Sequence, residues 1–434
     1  MRARKTEGAG RRGQALIMAL IVMLMALPVA FYFCRYVAET VKAAIADREQ
    51  KNASELANDV VTDYFRQFSQ NPYNGHYDEA DLERPEDFYS AGYSTVTFAA
   101  DSVHHTLYLR AEGVAGSAAT TAGTHERVLE ALIQFVSPLA LYGSMFNSAT
   151  TLSGGNGTTY SGGFYVNGKF TLQTAGTVFV GGPVVVNGNL SGNATIDGDL
   201  YYAGASKGSF TVKGNTYNFI PPITWPTLDF TYYEAYSTYI TTSSISVQLN
   251  SDKTFTIGGT NYPIPAAGAI IFANNADVTV SGAVSGMVTV VAGDSTNGGC
   301  SSSAGIVNVN GGVYYVGASS ISANSGESFA ALATNCINFY GSPNSGMTVV
   351  GVYFVQNGTA NMNANCGCTY NASQEKYNCS GCFGSQRFSL YGTRDQAVND
   401  SFPKFSAAYD PNLRSYQPPG LPEYAYLVNW NLHH

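Results

Sequence analysis

ALIMALIVMLMALPVAFYFC, residues 15–34, runs for twenty positions without a charge. At about 1.5 Å per residue, a helix of that length covers the roughly 30 Å hydrocarbon layer of a membrane. The thirteen residues before it, MRARKTEGAGRRG, carry Arg2, Arg4, Lys5, Arg11 and Arg12 against one acid, Glu7. A basic flank stays cytoplasmic, so everything after Cys34 is expected outside. A cleaved secretory signal has a shorter apolar core and a small-residue cleavage site, and Pro28 to Ala30 fits that poorly. A lipoprotein signal needs a small residue before its cysteine, where this chain has Phe33. A retained single-span helix is the reading that remains.

The helical pattern does not stop with the apolar run. From Arg35 to about Phe68 it becomes amphipathic: Val37, Val41, Ala44, Ile45, Leu56, Val60, Phe65 and Phe68 fall near one face, with Glu39, Lys42, Asp47, Lys51 and Asp59 elsewhere. Arg35–Glu39 and Asp47–Lys51 are opposite charges at i,i+4, each adding a few tenths of a kcal/mol. Asn71-Pro72 and Asn74-Gly75 then break the helix. Its expected extent is 14–70.

A basic leader ending in Gly13, an apolar helix directly after it, and an amphipathic continuation resemble a type IV prepilin. The N-terminus is most similar to PilX-like minor pilins and the pseudopilins of type II secretion. The resemblance implies cleavage between Gly13 and Gln14 by the prepilin peptidase. It also implies packing of the helix against other pilins or pseudopilins in a filament, after residence in the inner membrane. The family's major subunits carry Glu as the fifth mature residue; this chain has Met18 there. That departure is a feature of some minor subunits placed at a filament tip. Pro28 also lies earlier than the usual pilin kink. A plain single-span anchor is the competing reading.

Beyond the helix, the expected fold is mainly β: a small α+β pilin-like head over 71–138, then a β-solenoid (parallel β-helix) over 139–434. The stretch 72–90 is acidic. Ser94–Phe98 and His105–Ala111 alternate as strands, whereas Arg127–Phe135 is ambiguous between strand and helix. From about Ala140, short apolar runs are punctuated by Asn-Gly, Asp-Gly and Gly-Gly, as in GGFYVNGKF, GGPVVVNGNL and VNVNGGVYYVG. Asn167-Gly168 and Asn187-Gly188 stand twenty residues apart, with Asp197-Gly198 ten further on. Such pulses without helices between them fit stacked solenoid coils. A β-sandwich body would give similar punctuation. Two inserts interrupt the texture: a proline- and aromatic-rich segment at 220–240, with a helix start at Asp229, and an extended tail at 409–424; a cysteine-rich hairpin is expected at 366–382.

Composition narrows the chemistry. Charged residues are 12% of the 434, about half of the roughly 25% usual in soluble domains, so uncharged strands and turns dominate. The net charge of −8 with no basic stripe argues against a nucleic-acid partner. Six of the seven cysteines follow residue 299. With the body outside, disulfides are expected, pairing Cys366 with Cys382, Cys368 with Cys379 and Cys300 with Cys336. The late four could equally hold tetrahedral zinc, and other connectivities stay open. No cofactor is expected. Cys34 reads as a packing residue.

An enzyme is not expected, although a polysaccharide-acting β-helix is the alternative to weigh. Asp197 and Asp199 are its only close acids in the solenoid texture, and an Asp-Gly corner explains them better. No histidine lies between His125 and His433, which removes Ser-His-Asp arrangements from the body. The remaining candidates are aromatic. Trp225, Tyr232, Tyr233, Tyr236 and Tyr239 could face a surface glycan or cargo, with packing of the insert onto the solenoid as the competing reading.

Overall fold

The computed structural model describes residues 8–433 except 71–86, 90–91, 102–105, 116–124, 153–158, 174–175, 221–222, 224, 296–298, 317–325, 342–346, 358, 365–367, 372–375, 380–386, 395–403, 411–412 and 414–415. It is a long N-terminal helix followed by a mainly β body.

Helix α1 (Gly8–Gln70) is 63 residues long, about 95 Å, with Pro28 inside it. It begins before Gln14, so the Gly13-Gln14 bond lies within the helix. The head is an antiparallel sheet of β1 (Asp87–Tyr89), β2 (Gly92–Asp101), β3 (Thr106–Ala115) and β4 (His125–Val136), paired in that order. The ambiguous stretch before Phe135 is thus strand, and Leu129, Ala131, Ile133 and Phe135 alternate into the core. The C-terminal part of α1 covers that face through Ala57, Val60, Val61, Tyr64 and Phe68. Gly113 lets the two elements meet: a Cβ there would lie 2.1 Å from the carbonyl oxygen of Ala53.

Two expectations are corrected here. Val37, Val41 and Ile45 do not join the packed face of α1; they are 41–51% exposed, because the head reaches the helix only from about Glu49. Nor does the body own the whole of 139–434. The last strand, Tyr424–His433, returns to the head and pairs antiparallel with β4, burying Ala425 against the same core.

The body is a parallel β-helix, which excludes the sandwich. One stack runs Tyr142–Phe146, Gly163–Val166, Val184–Val186, Leu200–Tyr202 and Thr216–Tyr217, each strand parallel to the next. Flanking stacks repeat the same order. Phe146, Phe164, Phe170 and Phe179 fill the interior. The Asn-Gly corners serve two ends. Asn187 donates to Asn167 (2.8 Å) and Asn167 to Asn147 (3.1 Å), an amide ladder with a twenty-residue pitch. The glycines permit close backbone approach: a Cβ on Gly188 would sit 2.7 Å from Gly168.

The chain then does something a simple solenoid does not. The second arm begins at Tyr239–Thr241 and stacks through Ala269–Asn274, Met287–Gly293, Ser328–Ala333, Met347–Val355 and Arg387–Arg394. Arg394 pairs with Ser144, so the end of the second arm abuts the start of the first. The chain enters the stack in its middle, winds out to one end, and starts again at the other. An antiparallel hairpin, Thr254–Ile257 with Thr260–Pro263, covers that far end with Phe255 and Ile257.

The aromatic insert is the strap that makes this crossing. Phe219 touches Tyr201 and Tyr217, Trp225 packs on Phe354, and Phe230 on Phe272. Those contacts follow the sheet from one end of the stack to the other. Ten strand spacings of about 4.8 Å require roughly 48 Å. Twenty-one residues, seven of them in the helix Phe230–Tyr236, reach at most about 56 Å.

Candidate functional site

Two surfaces concern function, the free length of α1 and the strap. Along α1 the large apolar side chains from Met18 to Tyr36 are 44–71% exposed. This is the one described helix long and apolar enough to cross a membrane. Pro28 has no N–H to give the carbonyl of Leu24. Around it, Leu24, Leu27, Pro28, Phe31, Tyr32 and Arg35 line an open groove of about 480 Å³. Below the groove Arg35 and Glu39 pair at 3.0 Å. The stripe Val37, Val41, Ile45 continues at i,i+4 spacing among these charges. Cys34 is a free, exposed thiol.

The lower helix is clamped. His125 Nε2 stands 3.4 Å from Glu49 Oε2 at the mouth of the helix–sheet interface, both side chains mostly buried and without hydrogen-bond geometry. Close by, burial and the Glu126 carboxylate raise the pKa of Glu112. Sequence alone gives His125 no role, because a lone histidine at a strand start is its only signal. At the junction of head and body, the tail holds both sides. Gln417 accepts from the Ser137 N–H (2.8 Å) and donates to the Phe135 carbonyl (2.9 Å), and the Tyr409 hydroxyl donates to the Ala140 carbonyl (2.7 Å).

The candidate aromatics are mostly structural. Tyr233 is wholly buried and donates its hydroxyl to the Gly420 carbonyl at 2.9 Å, which removes it from a ligand-facing set. Trp225 lies partly buried on Phe354, and Tyr239 packs edge-on against Tyr262. Tyr232 is desolvated beside Glu423 and Tyr236, and its pKa is pushed up to about 12. Tyr236 alone of the five presents much surface, at 57% exposed. Asp229 caps the strap helix as anticipated, accepting from the N–H groups of Thr231 (3.0 Å) and Tyr232 (3.3 Å).

Cys300 and Cys336 form a disulfide. Cys368 and Cys379 are register partners across an antiparallel pair, Cys368–Asn371 with Lys376–Cys379. Cys366 and Cys382 lie outside the described residues, as do His104 and His105. Asp197 pairs with Lys213 at 3.0 Å and Asp199 accepts from the Asn215 N–H at 2.7 Å, so both act as corner residues. Among the described residues no group of three or more His, Cys, Asp or Glu side chains is placed to hold a metal.

No protein-family model matches the chain, and no curated protein does. One solved structure with some likeness is the competence-associated pilin ComZ from Thermus thermophilus, at 9% identity and a TM-score of 0.34 over 88% of this chain and 97% of that one. A likeness of that size carries no argument about this protein.

Proposed function

We propose that this protein is a non-catalytic subunit of a bacterial type IV filament system, a minor pilin or pseudopilin at the filament tip. The observation that carries the reading is the length of unpartnered apolar helix. Met18 to Ile45 is about 42 Å at 1.5 Å per residue, longer than the roughly 30 Å a bilayer covers. Lipid accommodates the uncharged run. The stripe Val37, Val41, Ile45 lies beyond it among charges, which suits neighbouring helices better than lipid or water. The basic leader with Gly13 before Gln14 supports processing at that bond, and Met18 as the fifth mature residue supports a tip position. In this reading the leader is cytoplasmic and the head and body are outside.

Mass spectrometry of membrane fractions, with and without co-expressed prepilin peptidase, tests it. Peptidase-dependent appearance of an N-terminal Gln14 is the expected result. An intact or differently cut N-terminus would sink the filament reading and leave a membrane-tethered surface protein.

A further inference from the structure

An asparagine followed by glycine can react with its own backbone. The glycine nitrogen attacks the side-chain carbonyl carbon, and no Cβ stands in its way. In a folded chain the outcome depends on how the carboxamide and the glycine are held. The Asn-Gly pairs whose two residues are both described are 167–168, 187–188 and 310–311. The first two are locked. Asn187 donates its side-chain amide to Asn167 at 2.8 Å, and Asn167 donates to Asn147 at 3.1 Å. The nitrogen that would have to leave is therefore the one each ladder bond holds. The two glycines lie tight between coils. A Cβ on Gly168 would sit 2.8 Å from the Ala149 nitrogen, and one on Gly188 would sit 2.7 Å from the Gly168 carbonyl.

Asn310 is placed differently. Val309 pairs with Val280 and Val313 with Gly282, so Asn310, Gly311 and Gly312 together stand opposite Ser281. On the other side, pairing with the strand Cys336–Gly341 stops at Asn310 and Tyr340. Gly311 thus has no register partner in either neighbouring strand. Its φ is +79°, and a Cβ there would meet nothing within 4 Å. Asn310 and Gly311 are both exposed, and the Asn310 side chain makes no hydrogen bond among the described residues. Asn308, two residues earlier, gives the contrast within one strand. Its side chain accepts from Asn338 at 3.0 Å, and the next residue is the β-branched Val309.

We propose that Asn310 is a site of spontaneous deamidation in the folded protein, with water as the only co-reactant. The Gly311 nitrogen gives up its proton and bonds to Asn310 Cγ. The bond from Cγ to Nδ2 then breaks, ammonia leaves, and a succinimide remains. Water opens that ring at either carbonyl, which leaves Asp or isoAsp at 310. Overall, the carboxamide and water become a carboxylate and an ammonium ion, and no electron is transferred. The product carries one more negative charge, and isoAsp also lengthens the main chain by one carbon. Ring closure at Gly311 displaces no register partner, so the folded coil does not have to open first. This reaction is independent of Gly13-Gln14 processing and of the filament reading.

The test incubates the full chain in mildly alkaline buffer, folded in detergent micelles and unfolded in denaturant, and maps peptide masses over time. Incubation in heavy-oxygen water marks conversions made before digestion and separates them from those of sample handling. In the folded chain Asn310 is expected to gain its carboxylate at a rate within about threefold of that in the unfolded chain. Asn167 and Asn187 should each react at least about tenfold more slowly folded than unfolded, because their coils must open first. Asn147→Ala frees the amide of Asn167 and should speed reaction there while leaving Asn310 unchanged. A folded chain in which Asn310 stays intact while the unfolded chain reacts would overturn the proposal. Equal folded-state rates at all three pairs would also overturn it, since the placement of Asn310 would then decide nothing.

Discussion

Replacing Gly113 by alanine strikes the contact that holds helix to head. The added Cβ would lie 2.1 Å from the Ala53 carbonyl oxygen and 2.9 Å from the Ala57 nitrogen. Both are helix backbone, so no side chain can turn aside. To reach an ordinary separation of about 3.4 Å, α1 must move off β3 by roughly 1.3 Å. A gap of that order forfeits up to half the dispersion contact of Val60, Val61, Tyr64 and Phe68 with the sheet. Overpacking costs about 1–3 kcal/mol, and an unyielding backbone places this case near 3. That is roughly a hundredfold in the equilibrium between docked and undocked helix. Amide exchange reads it directly: protection in β3 and β4 should fall by about that factor. Amides of the second arm, at Val290 and Val307, serve as the internal control. Unchanged protection in β3 and β4 of a folded Gly113→Ala variant would refute the contact and the helix position drawn from it.

Four further outcomes follow from the body. Cys300→Ser opens a disulfide of sequence separation 36, and loop-closure entropy puts the loss near 4 kcal/mol, measurable by denaturant unfolding. Asn167→Ala removes two ladder bonds where Asn147→Ala removes one; melting should show a loss of about 1 kcal/mol or more for the first and less for the second. Tyr232 and Tyr424 both have pKa values raised to about 12 from 10.0 by burial. Their stabilising effect is complete below pH 10 and lost as pH rises toward 12, so a late phenolate step in ultraviolet titration should coincide with weakening, and Tyr232→Phe should reduce it. Deleting 220–224 removes about 16 Å of reach from a strap with roughly 8 Å to spare, so limited proteolysis should find the second arm detached, whereas five added Gly and Ser residues should be tolerated.

The elements legible in sequence were those with a local period. The membrane-length helix followed from one uncharged run, and the solenoid from the twenty-residue spacing of Asn167 and Asn187. The stretch around Ala131 is ambiguous in sequence because its apolar positions, broken by Arg127, Glu130 and Gln134, fit either a helical or an alternating pattern. Their strand character is set by β3 and the C-terminal strand on either side. The return of Tyr424–His433 to the head and the restart of the solenoid at its far end were not legible. Both are pairings between distant segments, such as Arg394 with Ser144, and nothing local marks them. Trp225 and Phe230 lie on the sheet at Phe354 and Phe272, and the long span between the two ends of the stack is a pairing of distant segments that nothing local marks.

The helix divides its apolar surface among three environments, and the division bears on how assembly could proceed. Ala53 to Phe68 are buried in this chain and are spoken for. The span from Met18 to Tyr36 would cost many kcal/mol in water, at about 1.5–3 kcal/mol per large side chain, a cost that lipid or other helices would remove. Val37, Val41 and Ile45 are different in scale. About half exposed, they offer together only a few kcal/mol to a neighbour. In the proposed filament that is too little to draw the subunit out of the membrane. It is enough to set which neighbour, and in what register, the stripe meets once the longer apolar surfaces have exchanged lipid for helix.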